Sequence, residues 1–324
     1  MNQDVKESGL CKMLGIDFPI IVAPMFLVSN KEMIIAATEA GVTGAIPALN
    51  YRTVDELRKV IRELKVEAKG PFGINLIVNK SNFLYKEQLI ACCEEKVDYI
   101  ITSLGSPEET IKQARQAGVK VFCDVVDARF AKKVEDLGAD AIIAVNKEAG
   151  GHAGPMSFKE LIPLLNETCS IPVISAGGVG NGSEAKEMMN YGAAGLSMGS
   201  VFIASNEAGV SDEYKQACID YGKDDIVMTT KLSGTPCTVI KTPYVEKVGT
   251  KQNRFERLLN KNKRLKKWFK AFTFMKGMKR LKNAAFSSTY KTVWCAGPSI
   301  EHVHEIRPLK DIVNSIREEY EQAK

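Results

Sequence analysis

Seven residues, Glu148-Ala149-Gly150-Gly151-His152-Ala153-Gly154, follow two positions after an apolar run at 139–145. Gly150 and Gly151 let the backbone take positive φ angles and approach a flat ligand with no Cβ in the way. The imidazole of His152 projects from that backbone. It is one of three histidines in the chain, with His302 and His304, and an unperturbed pKa of roughly 6.5 suits it to carry a proton near neutrality. Two more glycine turns lie downstream, Ala176-Gly177-Gly178-Val179-Gly180 and Met198-Gly199-Ser200. Backbone N–H groups freed by glycine, the Ser200 hydroxyl and the start of a following helix make an anion site that needs no basic side chain. Taken singly, each stretch reads equally as a tight turn, so placement in the fold has to decide.

Ser103 and Asp124 are weaker candidates for facing a substrate; Asp124 either orients His152, binds substrate or caps a loop. Lys147 reads as a solvated charge, and Glu148 as a structural group holding backbone N–H groups of the loop. His302 and His304 read as surface or packing residues. The eight cysteines include no CxxC pair, and no histidine stands at metal-ligand spacing. Reduced thiols and no metal site are expected.

The elements that must position these groups alternate. Short apolar runs predict strands at 19–24, 44–47, 72–76, 99–103, 119–125, 141–145, 172–176 and 195–198, with helical periodicity between them. Asn30 caps the first of these helices, and Gly41, Gly118 and Gly138 end three of them. Strands that are nearly continuously apolar imply a parallel sheet covered by helices. Eight strand-then-helix units match the count that closes a (β/α)8 TIM barrel. A doubly wound sheet competes through Gly180-x-Gly182-x-x-Ala185, which has dinucleotide-turn spacing, but Gly199 and Ser200 stand where that fold needs an acid. A barrel puts its active site at the C-terminal strand ends and often holds phosphate after strands seven and eight. The two glycine turns fall at those places.

The predicted organisation is a barrel of 1–205 and 296–324 interrupted by an α-rich insertion at 206–295, in which 226–230 and 237–240 make a hairpin-like excursion. Within the insertion, 251–282 carries thirteen Lys or Arg against Glu256 alone, about +12 locally, whereas the whole chain is only +5. Apolar residues at helical spacing make this segment an amphipathic basic helix or helix pair, best read as a lid on the acidic barrel. An acidic acyl carrier, a membrane surface and nucleic acid are competing partners, nucleic acid being the least favoured. No signal or transit segment and no run of ~20 apolar residues is evident, which points to the cytoplasm.

A phosphate at the two turns and the glycine-histidine loop two strands earlier together suggest a phosphorylated planar cofactor, and FMN meets both requirements. The pieces Ala23-Pro24-Met25, Gly73-Ile74-Asn75-Leu76, Glu148-Ala149-Gly150-Gly151-His152, Ala176-Gly177-Gly178-Val179 and Met198-Gly199-Ser200 resemble the nitronate monooxygenase family. The set is also similar to the FMN-dependent enoyl-ACP reductases of the second type. The resemblance runs in register over 10–205, with 296–316 as a closing segment. It implies that Ala23, Pro24, Met25, Asn75, Gly150, Gly151 and Ala176 lie against FMN. Gly177, Gly178, Gly199 and Ser200 would hold its phosphate, and His152 would face the substrate. Two activities stay open. One is oxidation of alkyl nitronates or nitroalkanes with O2, with His152 as base or as donor to the nitro oxygens. The other is NAD(P)H-dependent reduction of an enoyl thioester on an acyl carrier protein. A flavin-binding scaffold that recruits a partner through the basic segment is a third reading, and a homodimer is left open.

Overall fold

The computed structural model describes residues 3–79, 82–231, 236–250 and 293–323. Eight parallel strands close into a barrel: β1 (Ile20–Val22), β2 (Thr43–Pro47), β3 (Phe72–Ile77), β4 (Tyr99–Ser103), β5 (Lys120–Val125), β6 (Ala141–Val145), β8 (Val173–Ala176) and β9 (Gly195–Met198), which returns to β1. The (β/α)8 expectation holds. Helices α3 (Lys31–Glu39), α4 (Val54–Glu67), α5 (Tyr85–Glu94), α6 (Glu108–Ala117), α7 (Ala128–Leu137), α8 (Phe158–Thr168) and α9 (Gly182–Asn190) connect them. Their starts are chemically marked. The Asn30 side chain accepts from the Met33 N–H, Asp127 from Phe130, and Thr53 with Glu56 forms a reciprocal capping box.

The barrel interior is solid towards its N-terminal end. Ile21, Ala45, Tyr99, Ile101, Phe122, Ile143 and Ile174 form one buried cluster with Leu10, Cys11 and Ile16, so α2 (Gly9–Leu14) and the residues after it plug that end. Tyr99 stacks on Phe122 at 4.8 Å between ring centroids, and its hydroxyl reaches Gly44 O and Thr43 Oγ1, both at 3.0 Å. Gly73 makes room for that ring, because a Cβ there would stand 2.2 Å from it. Side chains alternate along a strand. The next inward residues therefore lie one layer higher: Asn75, Ser103, Asp124, Val145 and Ala176. These are small or polar, and the interior opens above the plug.

Gly180-x-Gly182 serves helix packing. A Cβ on Gly182 would stand 2.2 Å from Tyr320 N, and the Gly182 N–H donates to Glu319 Oε2 at 2.7 Å, so the C-terminal helix Leu309–Gln322 lies against the start of α9. His302 packs there too, its Nε2 3.0 Å from Glu184 Oε1.

After β9 come α10 (Asp212–Asp220), an antiparallel pair β10 (Ile226–Thr229) and β11 (Cys237–Ile240), and α11 (Pro243–Val248). The pair is joined to the barrel side of the molecule. Gly151–His152 forms a two-residue strand, β7, antiparallel to β11, with His152 opposite Cys237 and Gly151 opposite Thr238. The basic stretch 251–282 lies outside the described residues. Among those described, no helix is long and apolar enough to cross a membrane.

Candidate active site

At the C-terminal end of the barrel lies a cavity of about 740 Å³. Every residue singled out in the sequence as catalytic, cofactor-binding or substrate-facing lines it. Among the described residues no cluster of His, Cys, Asp and Glu is placed to hold a metal ion.

The His152 loop is organised by Asn146, fully buried at the end of β6. Its Oδ1 accepts the Glu148 N–H at 2.9 Å, its Nδ2 donates to Gly177 O at 2.9 Å, and its carbonyl accepts from Gly154 at 3.1 Å. One amide thus ties the histidine loop to the first phosphate-type turn. The loop-holding role expected for the Glu148 carboxylate falls to Asn146 instead. Glu148 Oε2 is buried and has no hydrogen-bond partner among the described residues, and burial raises the pKa of the carboxyl above its ordinary value.

The second support comes from β11. Thr238 Oγ1 donates to Ala149 O at 2.8 Å, beside the backbone pairing of β11 with β7. The His152 ring opens onto the cavity, so it is accessible, yet protein surrounds the cavity and this partial desolvation lowers its pKa below 6.5. At neutral pH the imidazole is uncharged and can accept a proton. Thr238→Val keeps the shape but leaves the Ala149 carbonyl without this donor, a loss of about 1–3 kcal/mol. The variant should keep its cofactor, melt lower and show faster amide exchange at 149–152; unchanged exchange there would mean that Thr238 does not brace the loop.

The glycine turns stand where backbone must come close. Gly177 has φ +111°, and a Cβ on it would lie 2.4 Å from Ala149 N and 2.5 Å from Asn146 Oδ1. Gly178 follows at φ +81°. Ser200 Oγ accepts the Gly297 N–H at 2.8 Å, which brings the closing segment over the turn after β9 while the hydroxyl proton stays available to a ligand. A Cβ on Gly150 would stand 2.7 Å from Ser200 Oγ. Ala23 and Met25 are positioned by Ser29, whose hydroxyl donates to Ala23 O at 2.8 Å and accepts from Met25 N at 2.9 Å.

Across the cavity a hydrogen-bonded arc links three strand ends. Asn75 Nδ2 donates to Ser103 Oγ at 2.7 Å, and Ser103 Oγ donates to Asp124 Oδ2 at 2.5 Å. Burial pushes the Asp124 carboxyl up to about 6, the Ser103 hydroxyl opposing. Beyond this arc the cavity opens past Leu104, Pro107, Phe130 and Lys133. Leu104 holds a left-handed φ of +61°, uncommon for a non-glycine residue, with its side chain partly exposed.

The sequence profile of the nitronate monooxygenase family matches residues 7–89 and 81–319. The chain belongs to the nitronate monooxygenase family. Its curated relatives include a nitronate monooxygenase of Paraburkholderia phytofirmans, 28% identical over 72% of this chain and 76% of that one. Another, of Mycobacterium tuberculosis, is named (3aS,4S,5R,7aS)-5-hydroxy-7a-methyl-1-oxo-octahydro-1H-indene-4-carboxyl-CoA dehydrogenase, and is 31% identical over 75% of this chain and 68% of that one. FabK from Thermotoga maritima superposes with a TM-score of 0.84 at 29% identity, over 97% of this chain and 96% of that chain. As a nitronate monooxygenase family member the chain is an FMN-dependent oxidoreductase. The cavity fits that cofactor. Glycine turns bare of Cβ atoms suit a phosphate, the unpartnered Glu148 Oε2 offers an acceptor for a ribityl hydroxyl, and the volume lies well within the range of roughly 300–1,000 Å³ for ligand pockets.

Proposed function

We propose that this family member oxidises nitroalkanes and their nitronates with O2, His152 acting as base towards the neutral nitroalkane. The observation that carries the reading is the imidazole of His152, on a loop held by β11 and Asn146, lining the same cavity as the glycine turns. Gly177, Gly178, Gly199 and Ser200 hold the FMN phosphate, while Ala23, Pro24, Met25, Asn75, Gly150, Gly151 and Ala176 bound the rest of the cofactor. Bound FMN supplies the acceptor for the substrate's electrons, which pass on to O2. His152 takes the proton from the carbon bearing the nitro group, a step that needs its uncharged form. The pairing of β7 with β11 holds the backbone that carries the imidazole.

A second reading, action on an acyl thioester, is favoured by the apolar mouth at Leu104, Pro107 and Phe130, which offers a path for a longer chain. The name of the carboxyl-CoA dehydrogenase relative agrees with it. Purified, FMN-loaded protein given nitroethane without NAD(P)H should consume O2. Failure to do so, with NAD(P)H oxidised in the presence of an enoyl thioester instead, would transfer the assignment to the second reading.

A further inference from the structure

We propose that Cys237 and Cys295 are a redox-active pair in the cavity wall, which hydrogen peroxide closes into a disulfide that staples β11 to the segment over the turn after β9. The two sulfurs stand 3.8 Å apart, although 58 positions separate the residues in the chain, and both residues line the cavity. Their backbones are held on either side of the gap. Cys237 lies in β11 directly opposite His152, so the two side chains leave the same face of that strand pair. The Cys295 carbonyl accepts from the Tyr214 hydroxyl at 2.5 Å, and Tyr214 stacks on Trp294 with ring centroids 5.6 Å apart. The Trp294 carbonyl in turn accepts the Ile240 N–H at 2.9 Å, which places 294–295 beside β11. Two residues on, the Gly297 N–H donates to Ser200 Oγ. A disulfide needs its sulfurs about 2.0 Å apart, so the 3.8 Å gap has to close by only about 1.8 Å.

The two thiols take different roles. Cys237 is buried, and its contact with Cys295 together with that burial raises its pKa, so it keeps its proton. Cys295 is only half-buried and opens onto the cavity, which makes it the sulfur that peroxide meets first. Once deprotonated, it attacks one peroxide oxygen. The O–O bond breaks, a sulfenic acid forms on Cys295, and the expelled hydroxide takes up the thiol's proton as water. The Cys237 sulfur then displaces the sulfenic hydroxyl, which leaves with the Cys237 proton as a second water while the S–S bond forms. The two thiols give up two electrons and the peroxide takes them.

The test is independent of the nitroalkane reading. FMN-loaded protein is treated with millimolar hydrogen peroxide at neutral pH, and half of the sample is then reduced with dithiothreitol, so that irreversible oxidation elsewhere is common to both halves. Remaining thiols are alkylated and the peptides mapped. In the oxidised half the peptides bearing Cys237 and Cys295 should emerge joined, lighter by two hydrogens. That half should melt at least about 3 °C above the reduced half, because the bond closes a long loop in the unfolded chain. Amide exchange at Gly151 and His152 should slow with it. Cys237→Ser should stop at a sulfenic acid on Cys295 that dimedone labels, and dithiothreitol should no longer change the melting temperature. Cys237 and Cys295 still fully alkylated after peroxide, a disulfide between other cysteines instead, or a joined pair with unchanged melting and exchange would overturn the proposal. The wild-type map decides the matter even if the variant folds poorly, and absent nitroalkane turnover would leave the pair's role standing.

Discussion

Replacing His152 with alanine should leave FMN bound and cut turnover of a neutral nitroalkane by about 10²–10⁴-fold, the usual contribution of a positioned general base. That corresponds to roughly 3–5 kcal/mol of the barrel's transition-state stabilisation. The same variant given the preformed nitronate should lose far less, because the proton has already gone. The pH dependence follows from the direction of the histidine shift. Desolvation favours the uncharged ring and lowers the folded pKa, so the base form predominates at neutrality. Activity should be flat from neutral pH upward and fall as pH drops through that lowered value. Asp124, at about 6, titrates in the same region. A pH profile of Asp124→Asn therefore separates the two groups: the acid limb belonging to His152 should survive. Equal losses on nitroalkane and nitronate would assign His152 to binding rather than to proton removal.

Gly177→Ala should cost the cofactor. Its backbone sits at φ +111°, where a Cβ is strained by about 1–3 kcal/mol, and the added carbon would stand 2.4 Å from Ala149 N and 2.5 Å from Asn146 Oδ1. Those two atoms belong to the amide network that joins the histidine loop to the phosphate turn, so the overlap cannot relax without moving both. The variant should purify colourless, bind added FMN at least about a hundredfold more weakly and melt about 5–10 °C lower. Gly178→Ala meets Glu148 Cβ at 3.0 Å and Met188 Cε at 3.4 Å, side-chain atoms rather than backbone, and although its φ of +81° still strains the new side chain it should be milder. A yellow Gly177→Ala protein with a full complement of flavin would show that the turn after β8 does not approach the phosphate.

The barrel was legible because its strands are short β-branched runs separated by capped helices. β4, β6 and β9 lie where the residues alone put them, and most other boundaries move by one or two residues. Three features were not legible, each for a physical reason. The plug, α2, is six residues long, too short for periodicity to report, and its role is defined only by the barrel it closes. The pairing of Gly151–His152 with Cys237–Thr238 joins residues far apart in the chain through a strand of two residues, which leaves no local signature. Asn146, which the sequence reading did not single out, is the buried amide that builds the histidine loop. The signal available was a lone amide ending an apolar strand just before a glycine-rich segment. Ser103 and Asp124 were singled out separately as strand-end polar residues. Their direct hydrogen bond, and its extension to Asn75, needed the barrel to bring β3, β4 and β5 into register.

The proposed reaction begins with removal of a proton by His152 from a neutral nitroalkane beside bound FMN. It is tested most directly by mixing the FMN-loaded protein with nitroethane in the absence of O2 and of NAD(P)H. The yellow colour should bleach in a single turnover, more slowly when the carbon bearing the nitro group carries deuterium and at least about a hundredfold more slowly in His152→Ala. Colour that persists with nitroethane but bleaches on addition of NAD(P)H would contradict the account.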